Sequence, residues 1–131
     1  MNALIELFSG HTTSKKFSNK NCTFKLRTLT TDELADVLRR TDLVALSDLT
    51  KLVVTRKLTL AYALESVNDV DVLALPEIQE LRKSKGNDVS KVDLLAEVLG
   101  KFDDLTIRTL YSFYEELQEE HEKGLESLKK A

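Results

Sequence analysis

Few residues in this sequence could perform catalysis. Its 131 residues include one cysteine, Cys22, and two histidines, His11 and His121, and contain no tryptophan. A thiol beside a histidine could act as a nucleophile with its base. However, Cys22 falls on the apolar side of an alternating segment, where a free cysteine packs as a small core residue. We therefore predict no catalytic residue and no enzymatic activity.

Metal and cofactor sites are equally unsupported by the residue pattern. Neither histidine belongs to the H-x-x-x-H or E-x-x-H spacing that forms zinc or di-iron sites. The glutamates in the stretch 115–122 could hold a cation weakly, but a solvated helix surface accounts for them better. The four glycines are isolated, so no phosphate-binding loop is indicated. We expect no metal, no cofactor and no small-molecule substrate.

The composition is that of a small folded domain. Hydrophobic residues make up 42% of the chain and charged residues 31%, which is too apolar for a disordered protein. No apolar run approaches the roughly 20 residues of a membrane span, and residues 1–8 lack the basic start of a secretory signal. A lone cysteine favours a reducing compartment. The sequence thus predicts one cytoplasmic domain without membrane contact.

Charge is distributed unevenly along the chain. Residues 11–30 contain no acid and five basic side chains, namely Lys15, Lys16, Lys20, Lys25 and Arg27. The stretch 115–126 carries six glutamates against one lysine. A solvated linker and a solvated helix face account for both runs, and head-to-tail complementarity between copies is the alternative. Phe17 and Phe24 within the basic segment 15–27 also leave nucleic-acid contact open, although the acidic net charge disfavours it.

The N-terminal part is predicted to be an arm and a flexible linker at residues 1–21, ahead of a helical domain at residues 22–131. Residues 2–8 could form one short apolar turn or strand. The stretch Ser9–Asn21 is polar and has no apolar period, which indicates a flexible linker. Residues 22–29 alternate between apolar and polar side chains, which predicts a strand with one buried face and no evident partner nearby.

Two helices are predicted directly after this strand. Thr30 and Glu33 have the spacing of a capping box, which indicates the start of the first helix. A long second helix is expected from Thr41 or Asp42 to about Val67, because its apolar residues recur at helical spacing. Its expected core positions include Leu46, Leu49, Val53, Leu60 and Leu64.

Local signals bound three further helices. These helices are expected to begin at Pro76, at Ser90 and at Asp103 or Asp104, and the first two to end at Gly86 and Gly100. The expected core comprises Leu34, Val37, Leu60, Leu64, Leu95, Val98, Leu110 and Tyr114. The predicted fold is mainly α, a compact bundle of about five helices with one or two short N-terminal β-strands.

Arg56 and Tyr62 are candidate partner-binding residues. Arg56 falls on the apolar stripe of the long helix, where a charge is normally paired. Glu33, Asp36 or an acid of the last helix could pair with it, which would make it a structural arginine. Alternatively, this face of the helix meets a partner chain.

The apolar arm supplies the other candidate partner-binding residues, which are Leu4, Ile5, Leu7 and Phe8. The predicted linker after them could span up to about 40 Å when extended. We therefore predict that residues 4–8 dock on another chain, either an identical copy or a different assembly component. The rival interpretation is that the arm adds a strand to its own 22–29 strand.

The order of these pieces resembles a known class of proteins. An alternating strand leads into Thr30-Thr31-Asp32-Glu33-Leu34, a long helix carries Leu60-Ala61-Tyr62-Ala63-Leu64, and the last helix carries Leu110-Tyr111 with Tyr114 and Leu117. Over about residues 22–120 this layout resembles the small helical tail-assembly chaperones and baseplate-hub components of tailed bacteriophages. The arm and the basic linker do not map onto that pattern.

The resemblance implies a non-enzymatic structural or tail-assembly role by protein–protein binding. The implied partners are identical copies or other phage tail or virion proteins, such as the tape-measure protein, and the implied location is the virion or the host cytoplasm during assembly. The alternative is a cytosolic helical adaptor or regulator that contacts nucleic acid through the basic segment 15–27.

The lack of catalytic and metal-binding patterns generates a first prediction. Substituting Cys22→Ser or His121→Gln is expected to leave binding intact and to change the free energy of unfolding by no more than about 1–2 kcal/mol. Urea denaturation of each variant measures this change. A metal bound at stoichiometric amount in the purified protein would contradict the prediction.

Overall fold

Strands and helices are interleaved along the chain in this computed structural model, which describes residues 12–44 and 47–130, with side chains as far as Glu126. The strands are β1 (Ser14–Asn19), β2 (Cys22–Arg27), β3 (Leu64–Val67) and β4 (Val70–Asp71). The helices are α1 (Thr31–Val44), α2 (Asp48–Ala63), α3 (Pro76–Lys85), α4 (Lys91–Leu99) and α5 (Asp104–Lys130), and Val72–Ala74 form a 3-10 turn. The mainly α prediction is confirmed, with more strand than expected.

The four strands form one antiparallel sheet in the order β1-β2-β3-β4. A two-residue turn joins β1 to β2, with Lys20 at a φ of 57°. Another joins β3 to β4 through Asn68 and Asp69, whose φ values are 49° and 65°. Positive φ at both central residues is the requirement of a type I′ hairpin turn, and Asn and Asp tolerate it better than other side chains do.

The predicted flexible linker is wrong at residues 14–19. Residues 14–19 form β1 and pair with β2 along its whole length, from Ser14 opposite Arg27 to Asn19 opposite Cys22. Only Phe17 of β1 is buried. The sequence of this strand therefore lacks the alternation of apolar and polar residues that would have predicted it. β3 occupies the other edge of β2, and the arm residues of the rival interpretation lie outside the described residues.

The predicted long helix is wrong at both ends. Helix α1 continues to Val44, and a new helix begins after Ser47, whose hydroxyl accepts a hydrogen bond from the Thr50 amide at 3.2 Å. Helix α2 then ends at Ala63, because residues 64–67 pair with β2 instead of continuing the helix. Leu46, an expected core residue, lies outside the described residues.

The capping signals are confirmed. The Thr30 amide donates to the Glu33 carboxylate at 2.9 Å, and the Glu33 amide donates to the Thr30 hydroxyl at 3.2 Å. Pro76 is the first residue of α3, and the Ser90 hydroxyl accepts from the amide three residues on. Asp103 caps α5 by accepting from the Thr106 amide at 2.7 Å.

One face of the sheet packs against α5. Phe17, Phe24 and Phe113 form an aromatic cluster with ring centroids 5.2 to 5.9 Å apart. Of the predicted core, four residues are buried, namely Val37, Leu60, Leu95 and Tyr114, and three are half-buried, namely Leu64, Val98 and Leu110. Leu34 is 48% exposed, so its prediction is wrong. Val37 and Thr41 provide the buried stripe of α1, and Leu34 lies on its flank.

The core generates a second prediction, on α5. Leu117 is fully buried, so Leu117→Ala leaves a cavity and is expected to lower the free energy of unfolding by about 2–5 kcal/mol. The matched control is Leu105→Ala on the same helix, where the side chain is 65% exposed and the change is expected within about 0.5 kcal/mol. Urea denaturation compares the two, and equal losses would contradict this core assignment.

Candidate functional site

The candidate residues from the sequence fall into two groups. The arm residues Leu4, Ile5, Leu7 and Phe8 lie outside the described residues. Arg56 and Tyr62 both lie on α2, but their surroundings differ. Tyr62 belongs to a network of polar side chains, whereas Arg56 lies among exposed leucines.

Tyr62 helps to join three helices. Its hydroxyl donates a hydrogen bond to the Asp36 carboxylate of α1. Arg40 pairs with that carboxylate at 2.9 Å and with Asp93 of α4 at 2.6 Å. Burial and the nearby Asp36 charge disfavour the tyrosinate, which raises the pKa of Tyr62 to about 12. The phenol is therefore engaged within the chain, and its role in this fold is to hold α2 against α1.

A second ion-pair cluster lies beside this network. Arg27 and Glu33 form a bidentate pair at 2.7 and 2.6 Å, and Glu65 lies 3.7 Å from the same guanidinium. Lys91 is half-buried there, and desolvation with the neighbouring Arg27 charge lowers its pKa. Arg27, Glu33 and Lys91 line a cavity of about 350 Å³ together with Tyr62. Because the guanidinium is already paired with carboxylates, this cluster stabilises the fold rather than presenting a free binding group.

The basic segment 15–27 is paired within the chain. Its partners lie on α5 and in the sheet: Lys15 pairs with Glu120 at 2.8 Å, Lys16 with Asp69 at 2.6 Å and Lys25 with Glu65 at 3.4 Å. Phe17 and Phe24 are buried at 7% and 4% exposure, so neither ring is available to stack on a base. The alternative of nucleic-acid contact through this segment stays a prediction, and these ion pairs are what a nucleic acid would have to displace. The pair between Lys15 and Glu120 also joins the basic and the acidic stretches within one copy, where the sequence analysis considered such pairing between copies.

The pairing expected for Arg56 is wrong for the acids named. Glu33 pairs with Arg27, and Asp36 pairs with Arg40 and Tyr62. Among the described residues Arg56 has neither an ion pair nor a hydrogen bond, and it is half-buried. Its guanidinium lies close enough to Tyr111 of α5 to counteract the rise that burial causes in the pKa of that phenol.

Exposed leucines lie on the same helix face as Arg56 and on the neighbouring helix. Leu49 and Leu52 share its face of α2, because positions four and seven residues apart lie above one another on a helix. Leu34 and Leu38 lie one turn apart on the neighbouring helix α1. These five residues, Leu34, Leu38, Leu49, Leu52 and Arg56, are called the open face below. The exposed fractions of the leucines are 48%, 51%, 73% and 45% in that order.

The open face lies on the flank of the α1–α2 pair that faces away from α4. The two helices contact each other through Thr41 and Thr55, whose hydroxyl oxygens are 3.3 Å apart. Arg40 on one flank of α1 reaches α4 through Asp93. Leu34 and Leu38 project from the other flank, where the described part of the chain leaves them exposed.

The apolar surface continues around the end of the α1–α2 pair. Leu43 and Val44 are 72% and 63% exposed, and Val53 of α2 is 43% exposed. Leu49 and Val53 were expected in the core, which is wrong for both. The sequence did contain a signal for a surface that another chain covers. The first half of α2 is apolar on most sides, and such helices are normally buried. Exposed apolar side chains that gather into one patch commonly mark a site where another chain binds.

Within residues 12–44 and 47–130, no cluster of three or more histidine, cysteine or acidic side chains is placed to hold a metal ion. No helix in those ranges has both the length and the apolar character needed to cross a membrane. Compared with protein-family models, with curated proteins and with solved structures, the chain matches none of them.

The Tyr62 network generates a third prediction, on acid stability. The hydrogen bond from Tyr62, followed by Arg39 and Arg40, holds the pKa of Asp36 below its usual range. A carboxyl with a lowered folded-state pKa stabilises the fold above its unfolded pKa of about 4, and that contribution is lost as the pH falls through the folded value. We expect Tyr62→Phe to be less stable at neutral pH by about 1–2 kcal/mol and to lose less on acidification.

The measurement is the free energy of unfolding of wild type and variant between neutral pH and acid. Tyr62 also has a raised pKa, so wild type should lose stability between pH 10 and about 12, and the variant should lose less there. Tyr111→Phe is the matched control for the acid limb, because among the described residues the Tyr111 hydroxyl makes no hydrogen bond. If wild type and Tyr62→Phe lost the same free energy of unfolding on acidification, the hydrogen bond from Tyr62 would not be what lowers the pKa of Asp36.

Proposed function

We propose that this chain acts by non-enzymatic protein–protein binding, and that the open face is the surface that contacts another chain. The observation that carries the proposal is the concentration of exposed leucines around an arginine that has no ion pair among the described residues. Fully burying an exposed leucine contributes about 1.5–3 kcal/mol before ordering costs are subtracted. The four leucines of the open face are 45–73% exposed, so each contributes part of that value when a partner covers it.

Arg56 sets the chemistry of the partner. A partner that covers the open face also removes water from this guanidinium, which is costly unless a carboxylate accompanies it. The partner surface is therefore apolar with an acidic residue near its centre. An entirely apolar partner would bind less well, since it would leave a buried cation unpaired.

The biological setting that we propose is a tailed-bacteriophage particle or its assembly intermediate. The support is the layout of strand, capping box, α2 and α5, which resembles small tail-assembly and baseplate-hub proteins. Partners are then identical copies or other phage tail or virion proteins, and the location is the virion or the host cytoplasm during assembly. A tape-measure gene directly downstream would support this setting, and an unrelated gene neighbourhood would argue against it.

The open face generates a fourth prediction. The double substitution Leu49→Glu with Leu52→Glu places two charges on the surface that a partner must cover, so association is expected to be lost. The melting temperature should hardly change, because both side chains are exposed in the single chain. Size-exclusion chromatography with light scattering measures the associated mass, first for the chain alone and then with co-expressed neighbouring tail proteins.

The matched control is Val70→Glu on β4, where the side chain is 42% exposed and lies outside the open face. This variant should associate like wild type. Association that survives the Leu49 and Leu52 substitutions in every mixture would show that the open face is not the binding surface.

A further inference from the structure

We infer that the open face binds residues 4–8 of a second copy of this chain, with Glu6 of the incoming segment paired to Arg56. The inference rests on the proposed function and names the partner of that same surface. The chain then supplies both halves of the contact: the open face on α1 and α2, and an apolar segment ahead of β1.

The two halves match in chemistry. The open face has four leucines around one cation that lacks an ion pair among the described residues. The segment Leu4-Ile5-Glu6-Leu7-Phe8 has four large apolar residues around one anion, and Glu6 is the only acid in residues 1–13. Docking would therefore bury apolar side chains on both partners while giving each buried charge an opposite charge.

No place on the central strand remains for this segment in its own copy. On one edge β2 pairs with β1, where Ser14 lies opposite Arg27. On the other edge β2 pairs with β3, where Phe24 lies opposite Val67. The rival location predicted from the sequence is thus occupied.

The direction of β1 favours a second copy over the chain's own open face. Phe17 contacts Phe113 with ring centroids 5.2 Å apart, and the Thr13 hydroxyl lies 2.7 Å from the His121 ring. Followed from Phe17 back to Thr13, the chain therefore runs toward the C-terminal end of α5. Arg56 interacts electrostatically with Tyr111, which is ten residues before His121 and about 15 Å away from it along the helix. The chain leaves the described residues heading away from its own open face.

The tether is also shorter than the sequence predicted. With β1 beginning at Ser14 and Thr13 already bonded to Thr28, only residues 9–12 separate the apolar segment from the folded domain. Seven residues separate Thr13 from Glu6 and span at most about 25 Å. Reaching Arg56 of the same copy would require the chain to reverse direction and then cover about 15 Å, which uses most of that length, whereas a neighbouring copy can receive the segment without a reversal.

The contact can be either reciprocal or serial. Two copies that exchange segments form a closed dimer, in which each open face is filled. Copies that each donate to the next form a ring or an open chain. The measured mass separates these cases, and both require the same pairing between Glu6 and Arg56.

A charge exchange tests the pairing. Glu6→Arg places two cations together at the contact, and Arg56→Glu places two anions there, so each variant alone should associate more weakly by about tenfold or more. Mixing the two variants restores opposite charges at both contacts between unlike copies. The mixture should therefore associate with nearly the wild-type dissociation constant, measured by sedimentation velocity over a concentration series.

Controls carry the same changes in charge on a surface away from the open face. Glu80→Arg and Lys83→Glu on α3 involve exposed side chains and should associate like wild type. Circular dichroism confirms that every variant is folded. Weaker association in these controls, equal to that of Glu6→Arg and Arg56→Glu, would show a general charge effect and overturn the pairing.

The remaining outcomes distinguish this inference from the proposed function. If Glu6→Arg and Arg56→Glu associate like wild type while the Leu49 and Leu52 double variant does not, the open face binds another segment and the inference is overturned. The double variant that carries both Glu6→Arg and Arg56→Glu in one chain gives a further outcome. If its free energy of unfolding returns to the wild-type value while the mixture of the two single variants does not associate, the pairing lies within one copy, which overturns the inference. A wild-type chain that stays monomeric at every concentration also overturns the inference, and the open face then serves a different protein.

Discussion

β2 pairs on both of its edges, and this constraint positions most of the molecule. Pairing with β1 brings the lysines of residues 15–16 to acids on α5 and on the β3–β4 turn, which neutralises a segment that looks basic in the sequence. Pairing with β3 ends α2 at Ala63. Leu26, at the centre of β2, is fully buried beneath these elements. The aromatic cluster and the short tether ahead of Ser14 follow from the same pairing.

The polar network of Asp36, Arg40, Tyr62 and Asp93 determines which flank of the α1–α2 pair is covered. It ties that pair to α4 through hydrogen bonds that are mostly charge-assisted, and such bonds fix orientation as well as adding energy. Since a helix pair has two flanks and α4 occupies one, the leucines of the other flank remain in water. The network and the open face are therefore two consequences of one arrangement.

The sequence predicted what neighbouring residues determine and failed where distant residues decide. The capping box at Thr30, the proline at position 76 and the caps at Ser90 and Asp103 are local contacts, so these four helix starts were correct. The cap at Ser47 is also local, and the sequence analysis missed it. Residues 64–67 continue the apolar period of α2, yet they become a strand because β2 offers an edge. Periodicity also reports that Leu49 prefers burial, without saying whether its own chain or another buries it.

The placement of Arg56 reconciles an apolar surface with specificity. In the single chain its guanidinium interrupts the leucines of the open face and keeps part of that surface hydrated, which lowers the tendency toward unselective association. On binding, the same group must lose water, so a partner without a carboxylate leaves a buried cation unpaired. A leucine at this position would bind more partners with less selection among them. The open face therefore selects its partner by a charge, and its leucines provide the binding energy.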